Sequence, residues 1–130
     1  MRVVITGAAG RIGTQLVEEL SPSHDLSLID VRPVEGRNSI VADLSRDPAL
    51  TGRRGWFKPK PWSAAFPGAD AVVHLGANAE PMAPWEKVLP DNIQGTWNVI
   101  AAAAQHGVPR VIFASSNWAV KARERMLAPD

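Results

Sequence analysis

Neither cysteine nor tyrosine occurs anywhere in this 130-residue chain. Without cysteine there is no disulfide, no thiolate nucleophile and no Cys-based zinc site, and sulfur chemistry does not fix the compartment. Without tyrosine, no phenol can act as an acid or base. No apolar run approaches the ~18 residues of a membrane span. The first residues read as a strand rather than a charged leader with a cleavage site, so a cytoplasmic location and no membrane partner are expected. An excess of one charge sign is lacking too. Fourteen Lys and Arg against thirteen Asp and Glu leave a net charge of +1, which gives no electrostatic basis for a nucleic-acid partner. No metal is expected. What remains, 45% hydrophobic and 21% charged, describes a globular chain of one domain, long enough to bury roughly two thirds of its unfolded surface.

What is present alternates between strand and helix. Val3-Val4-Ile5 reads as a buried strand leading into Thr6 and a glycine-rich turn. A helix comes next, with Ile12, Leu16, Val17 and Leu20 on one face, and Ser21-Pro22-Ser23 ends it. Leu26–Asp30 and Ser39–Ala42 read as the second and third strands. Residues 45–51 suit one or two helical turns. Residues 52–62 carry four basic residues, two tryptophans and two prolines, and read as an irregular surface insertion with its aromatics tucked against the body. Ala69–Leu75 is a fourth strand, apolar at its centre as parallel strands are. Pro81, Pro84 and Pro90 punctuate the stretch after it. Asp91–His106 reads as a helix with Ile93, Trp97, Ile100 and Ala104 on one face, ended by Gly107-Val108-Pro109. Arg110–Ala114 is a fifth strand, and a charged tail begins at Trp118. Strands and helices alternating at these lengths give right-handed crossovers. The expected fold is therefore α/β, a Rossmann-like doubly wound parallel sheet of about five strands in three αβα layers, ending after the fifth.

In such a sheet the ligand crevice lies beyond the carboxyl ends of the strands. Those ends carry Thr6-Gly7, Asp30, Asp43, His74-Leu75-Gly76 and Ser115-Ser116, so the polar oddities of the sequence collect on one edge. Gly7-Ala8-Ala9-Gly10-Arg11-Ile12-Gly13 joins a strand to a helix in the pattern of a dinucleotide site. Gly7 permits the sharp turn, Gly10 lets backbone approach a pyrophosphate, and Gly13 lets the helix pack on the sheet. The N–H groups of the first helical turn, at Ala9, Arg11 and Ile12 and their neighbours, then face phosphate oxygens. Asp30 suits both ribose hydroxyls and would repel a 2′-phosphate, which favours NAD over NADP, while Arg32 close by could tolerate one. Asp43 suits the adenine amino group with Leu44 beside the ring, or else caps the turn after it. His74 reads as a structural residue bonding backbone. Beside it Leu75, Gly76 and Ala77 let backbone approach the ribose and pyrophosphate. Ser115 and Ser116 end the fifth strand near the expected nicotinamide, and no His-Asp partner spacing supports a serine nucleophile.

Together these residues resemble the extended short-chain dehydrogenase/reductase family, the NAD-dependent epimerases and dehydratases. Thr6-Gly7-Ala8-Ala9-Gly10-Arg11-Ile12-Gly13 matches its TGxxGxxG signature. Asp30, Asp43-Leu44 and His74-Leu75-Gly76-Ala77 stand where the family has its ribose aspartate, its adenine-side Asp-Leu and its His-Leu-Ala-Ala run. Asn92-Ile93-Gln94-Gly95-Thr96-Trp97-Asn98-Val99 looks like the family's helix-four motif, whose first Asn contacts the cofactor. Phe113-Ala114-Ser115-Ser116-Asn117 looks like the strand-five serine motif, with Ser116 in the active-serine position. The resemblance runs from residue 2 to about 118 and is strongest to the uronate dehydrogenases, which oxidise a hexuronic acid with NAD. It implies a sugar or sugar-acid substrate near Asn78, Ser116 and Asn117. Trp118, Ala79 and Val120-Lys121 depart from the pattern.

The resemblance also implies an acid/base tyrosine, with a lysine four residues later, beyond strand five. This chain has no tyrosine, and Lys121 has no partner for that role. Three readings are open: the NAD-binding half of a sugar-directed oxidoreductase or epimerase, inactive alone; a non-catalytic nucleotide-binding module; or one half of a split enzyme completed by a second chain. The strand-five edge and part of the Ile93/Trp97/Ile100 face are expected to expose apolar surface and to favour a homodimer or a covering partner.

Overall fold

A computed structural model describes residues 1–46 and 61–116. Arg2–Thr6 (β1) is the central strand, buried after its first residue. It pairs in parallel with Asp25–Asp30 (β2) on one side and Ala71–His74 (β4) on the other. Ile40–Val41 (β3) extends the sheet beyond β2, and Val111–Phe113 (β5) extends it beyond β4. The order is β3-β2-β1-β4-β5 with every pairing parallel. The chain thus builds outward from β1 in one direction, then crosses back to start β4 on its other flank. That reversal opens a crevice at the carboxyl ends of β1 and β4.

Side chains alternate between the two faces of a strand, and two cores result. Val3, Ile5, Leu28 and Val73 pack with Ala8 and Val17 beneath Arg11–Leu20 (α1). Val4, Ile29 and Val72 pack with Val99, Ala102 and Ala103 of Gly95–Gln105 (α3), and with Trp62 and Phe66. The layers are therefore αβα.

Several sequence expectations are corrected. At the end of the 52–62 stretch the aromatic is tucked against the body as expected, but the chain there is helical rather than irregular. Trp62 belongs to a 3₁₀ helix, Pro61–Ala65, and is fully buried, edge-on to Phe66 with ring centroids 5.7 Å apart. Trp62, Ala65 and Phe66 recur at helical spacing and put one apolar edge on the core. Residues 47–60, including most of the basic-aromatic stretch and all but the first two residues of the helical turns expected at 45–51, lie outside the described residues, as do Asn117 and the tail from Trp118.

Ile12 does not join the core. It is 63% exposed, and α1 buries Gly13 and Val17 instead. The helix expected from Asp91 begins earlier, with Trp85–Val88 (α2), and passes through Pro90. Proline lacks the N–H and crowds the carbonyl four residues back. The helix accommodates it by widening to π geometry over Leu89–Gln94, where Gly95 N–H reaches back five residues to Pro90 O. Wide turns of this kind are a known relief for such a conflict. On α3 the buried face is Gly95, Asn98, Val99, Ala101, Ala102 and Ala103. Ile93, Trp97 and Ile100 point outward, exposing the apolar surface expected on that helix.

Candidate functional site

Thr6 ends β1 and the chain turns at once. Gly7 has φ +70°, and a methyl built on it would lie 2.6 Å from Gly76 N and 2.7 Å from Leu75 C. Only glycine lets these two loops touch. Gly10 N–H donates to Gly7 O at 3.0 Å, closing the turn. A methyl at Gly13 would run into Gly7 O and sit 2.8 Å from Ala8 Cα, so α1 packs directly on the turn. No side chain caps the N-terminus of α1, and its first turn carries no acidic residue. Its leading N–H groups and the helix dipole therefore favour an anion.

Above the switch point lies a cavity of about 490 Å³, within the range of small-ligand sites. Gly7, Gly10, Leu75, Gly76, Ala77 and Asn78 wall one end; Asp30, Val31, Arg32, Ala42, Asp43, Leu44 and Ser45 wall the other, with Asp91 and Gly95 from the π turn and α3. Three of these glycines differ in kind from Gly7 and Gly13. A methyl at Gly76 or Gly95 would make only ordinary contacts, at 3.4 Å or more, and one at Gly10 would meet only Gly7 O, at 3.1 Å. The fold has room at Gly76 and Gly95, whereas Gly10 is tight against the turn.

The Asp30 carboxylate is nearly buried and holds two backbone donors: Ala9 N–H on Oδ2 at 2.9 Å and Arg32 N–H on Oδ1 at 3.0 Å. A carboxylate has about four acceptor sites, so two remain for a ligand hydroxyl. Arg32 Nη2 donates to Ala9 O at 3.0 Å. Asp43 Oδ1 accepts from Ser45 N–H and Oγ, and Oδ2 pairs with Arg46 at 2.9 Å. Burial raises its pKa, but the Ser45 hydrogen bonds and the Arg46 charge outweigh that and hold it below the ordinary value. Asp43 thus caps its turn and lines the cavity as well.

His74 sits beneath the floor. It is buried, with Nδ1 against Thr6 Oγ1 and Nε2 3.0 Å from Thr96 Oγ1, and its ring stacks on Phe113. Burial pushes its pKa down to about 4, so it is neutral at pH 7. It ties β4 to β1 and α3.

Of the residues singled out in the sequence, Gly7, Gly10, Asp30, Arg32, Asp43, Leu44, Leu75, Gly76, Ala77 and Asn78 share the cavity wall. Ala9, Arg11, Ile12 and Gly13 form the turn and helix start beside it, outside its lining. Asn92 is not on the wall either. Its amide grips the Asn78 backbone at both ends, accepting from N–H at 2.7 Å and donating to C=O at 3.1 Å. Ser115 and Ser116 come after β5, exposed and away from the lining. Sequence reasoning missed Val31, Ala42, Ser45, Asp91 and Gly95 on the wall. It also missed Asn98, wholly buried, whose Nδ2 holds Leu44 O at 2.6 Å. A buried Asn on an otherwise apolar helix face was the available signal. Among the described residues no cluster of acidic and histidine side chains suits a metal ion, and no helix is long and apolar enough to cross a membrane.

The sequence pattern of the NAD dependent epimerase/dehydratase family matches residues 3–125. Among curated relatives, L-arabinose 1-dehydrogenase (NAD(P)(+)) of Haloferax volcanii is 41% identical over 116 residues, covering 89% of this chain and 41% of that protein. Uronate dehydrogenase of Pseudomonas syringae pv. tomato is 37% identical over 125 residues, covering 92% and 41%. Among solved structures, a mutant uronate dehydrogenase from Agrobacterium tumefaciens complexed with NAD superposes with a TM-score of 0.71 at 34% identity, covering 89% of this chain and 41% of that one. The chain thus spans about two fifths of the length of these relatives.

Proposed function

The chain belongs to the NAD dependent epimerase/dehydratase family, and on that premise we propose that it is the NAD-binding part of an oxidoreductase or epimerase acting on a sugar or sugar acid. The observation that carries this reading is one cavity walled by both the Gly7–Gly10 turn and the Asp30 carboxylate. In a dinucleotide site the glycine turn takes the pyrophosphate and the acidic strand end takes the ribose hydroxyls. The residues fit the cofactor: α1 offers uncapped N–H groups to the pyrophosphate, Asp30 offers free acceptor sites to the ribose, and Val31, Ala42 and Leu44 offer apolar surface to the adenine. When bound, NAD supplies a hydride acceptor at the nicotinamide.

This chain's own part is to bind and orient. Gly76 and Ala77 leave the ribose side open, and Asn92 fixes the loop that presents Asn78 toward substrate. Ser116, at the end of β5, is assigned to hydrogen-bond the reacting substrate oxygen, with Asn117 beside it. The proton acceptor is supplied elsewhere, since the chain has no tyrosine. The apolar face of α3 is the one that the rest of the fold would cover, on the same polypeptide or a partner. The relatives' names, a pentose and a uronate dehydrogenase, support a sugar or sugar-acid substrate class.

Amide shift mapping tests the assignment. Adding NAD should move the Gly10, Gly76 and Gly95 signals together and leave those of the far ends of the strands in place. Shifts confined to other surfaces would refute it.

A further inference from the structure

We infer that Arg32 is a positioning residue that locks the glycine turn from behind, rather than a reader of a 2′-phosphate; this rests on the NAD-binding reading above. The geometry is a closed ring. Asp30 Oδ2 accepts from Ala9 N–H at 2.9 Å, Ala9 O accepts from Arg32 Nη2 at 3.0 Å, and Arg32 N–H donates to Asp30 Oδ1 at 3.0 Å. Ala9 is thereby held at both of its backbone polar groups by two side chains from the end of β2. It sits in the middle of the turn, between Gly7 and Gly10.

A turn with this much glycine is intrinsically loose. The cofactor's phosphates need its N–H groups already aligned, and any ordering left until binding weakens affinity. Gly10 N–H bonds to Gly7 O within the turn, which fixes its shape but not its attachment to the sheet. Ala8 N–H bonds to Ile29 O at 3.3 Å, a long contact. The ring supplies the firm attachment. It ties the turn to the same carboxylate that is assigned to the ribose, so the two ends of the adenosine diphosphate site are set by one unit. The charge on Asp30 and Arg32 strengthens each of the three bonds. Anchored this way, the Arg32 guanidinium is oriented by Ala9 O and sits beside an aspartate, which disfavours a dianionic phosphate at that spot.

The experiment compares Arg32→Ala and Arg32→Lys with the parent chain. It uses calorimetry with NAD and with NADP, and hydrogen exchange of the Ala9 and Gly10 amides in the cofactor-free protein. A lock predicts that Arg32→Ala weakens both nucleotides by the same factor, about fivefold, so their ratio is unchanged. It also predicts faster exchange at residues 9 and 10 and no change in β1 or β4. Arg32→Lys, which keeps the charge and a donor but not the planar fork, should fall between, and it carries the test if the alanine variant does not fold. Selective loss of NADP would overturn the inference in favour of phosphate reading, and unchanged binding and exchange would overturn it outright. If the parent chain binds neither nucleotide, the NAD-binding reading fails, and the exchange rates still decide whether the lock exists.

Discussion

His74 Nδ1 lies 2.5 Å from the Thr6 hydroxyl, across the junction between the ends of β4 and β1. Gly76 N–H donates to the same hydroxyl oxygen at 3.4 Å, and the other ring nitrogen, Nε2, lies 3.0 Å from Thr96 Oγ1. A neutral imidazole, with its pKa pushed down by burial, ties together the strand ends beneath the cavity.

That arrangement sets an acid limit on stability. The folded pKa of His74 is about 4 against 6.5 for the free side chain, so the unfolded chain takes up the proton first. Stability from this group is complete above pH 6.5 and is lost as pH falls toward 4, by about 3 kcal/mol in all. Asp43, with its lowered pKa, adds a separate loss only below the ordinary aspartate range. Urea unfolding at pH 7.5 and 4.5 should show the His74 loss in the parent chain. His74→Gln should be less stable at pH 7.5 but lose much less on acidification; parallel losses in both proteins would contradict the assignment.

The glycines divide into two groups with opposite expectations. Gly13→Ala places a methyl against Gly7 O and should destabilise by roughly 1–3 kcal/mol. Gly95→Ala meets nothing closer than 3.6 Å and lies in a helix, so it should raise stability by up to about 1 kcal/mol. It should nonetheless weaken NAD, because it fills the cavity wall. Thermal melts and calorimetry on the two variants separate packing glycines from ligand-facing ones.

Turnover should be absent from the 130-residue chain alone. With no phenol in the sequence, the proton that leaves a sugar hydroxyl during hydride transfer has no tyrosine to receive it. NADH formation with uronic acids or aldoses, monitored at the nicotinamide absorbance through purification, should stay at background. Activity that tracks with the protein would redirect attention to Lys121 and His74.

Along α2, the π turn and α3, Trp85, Leu89, Ile93, Trp97 and Ile100 are all exposed, and so are Val111, Ile112 and Phe113 of β5. Among the described residues β5 is one of the two edges of the sheet, opposite β3. Such an edge recruits a strand or aggregates. The isolated chain should self-associate in light scattering, with Ile112→Lys reducing the association. A stable monomer at high concentration with slowly exchanging β5 amides would count against it.

How much of this was legible in the sequence depended on how local the cause was. The strands were plain because parallel strands are short apolar runs, and the Gly7–Gly13 turn was plain because its geometry demands glycine at fixed spacing. For Trp62 only packing against the body was legible; its basic, proline-rich neighbours hid the 3₁₀ helix that carries it, and its full burial depends on Phe66 and the distant α3. The run through Pro90 was missed because a proline normally ends a helix, and only the π turn, a tertiary accommodation, avoids the clash. On α3, hydrophobic spacing picked out the Ile93–Ile100 stripe, yet the buried face is alanines and Asn98, whose small volume lets the helix lie close to the sheet. Asn98 gripping Leu44 O and Asn92 gripping Asn78 are contacts between segments far apart in the chain, and no local pattern announces them.

The proposed function places NAD in this cavity with Asp30 on the ribose. Calorimetric titration of the parent chain and of Asp30→Ala with NAD and NADP tests it most directly. The account predicts one site per chain and tighter binding of NAD than of NADP. In Asp30→Ala, NAD should weaken by about tenfold or more and the gap between the nucleotides should narrow. No binding of either nucleotide to the folded parent chain would contradict it, and so would tighter NADP binding or a gap that survives the substitution.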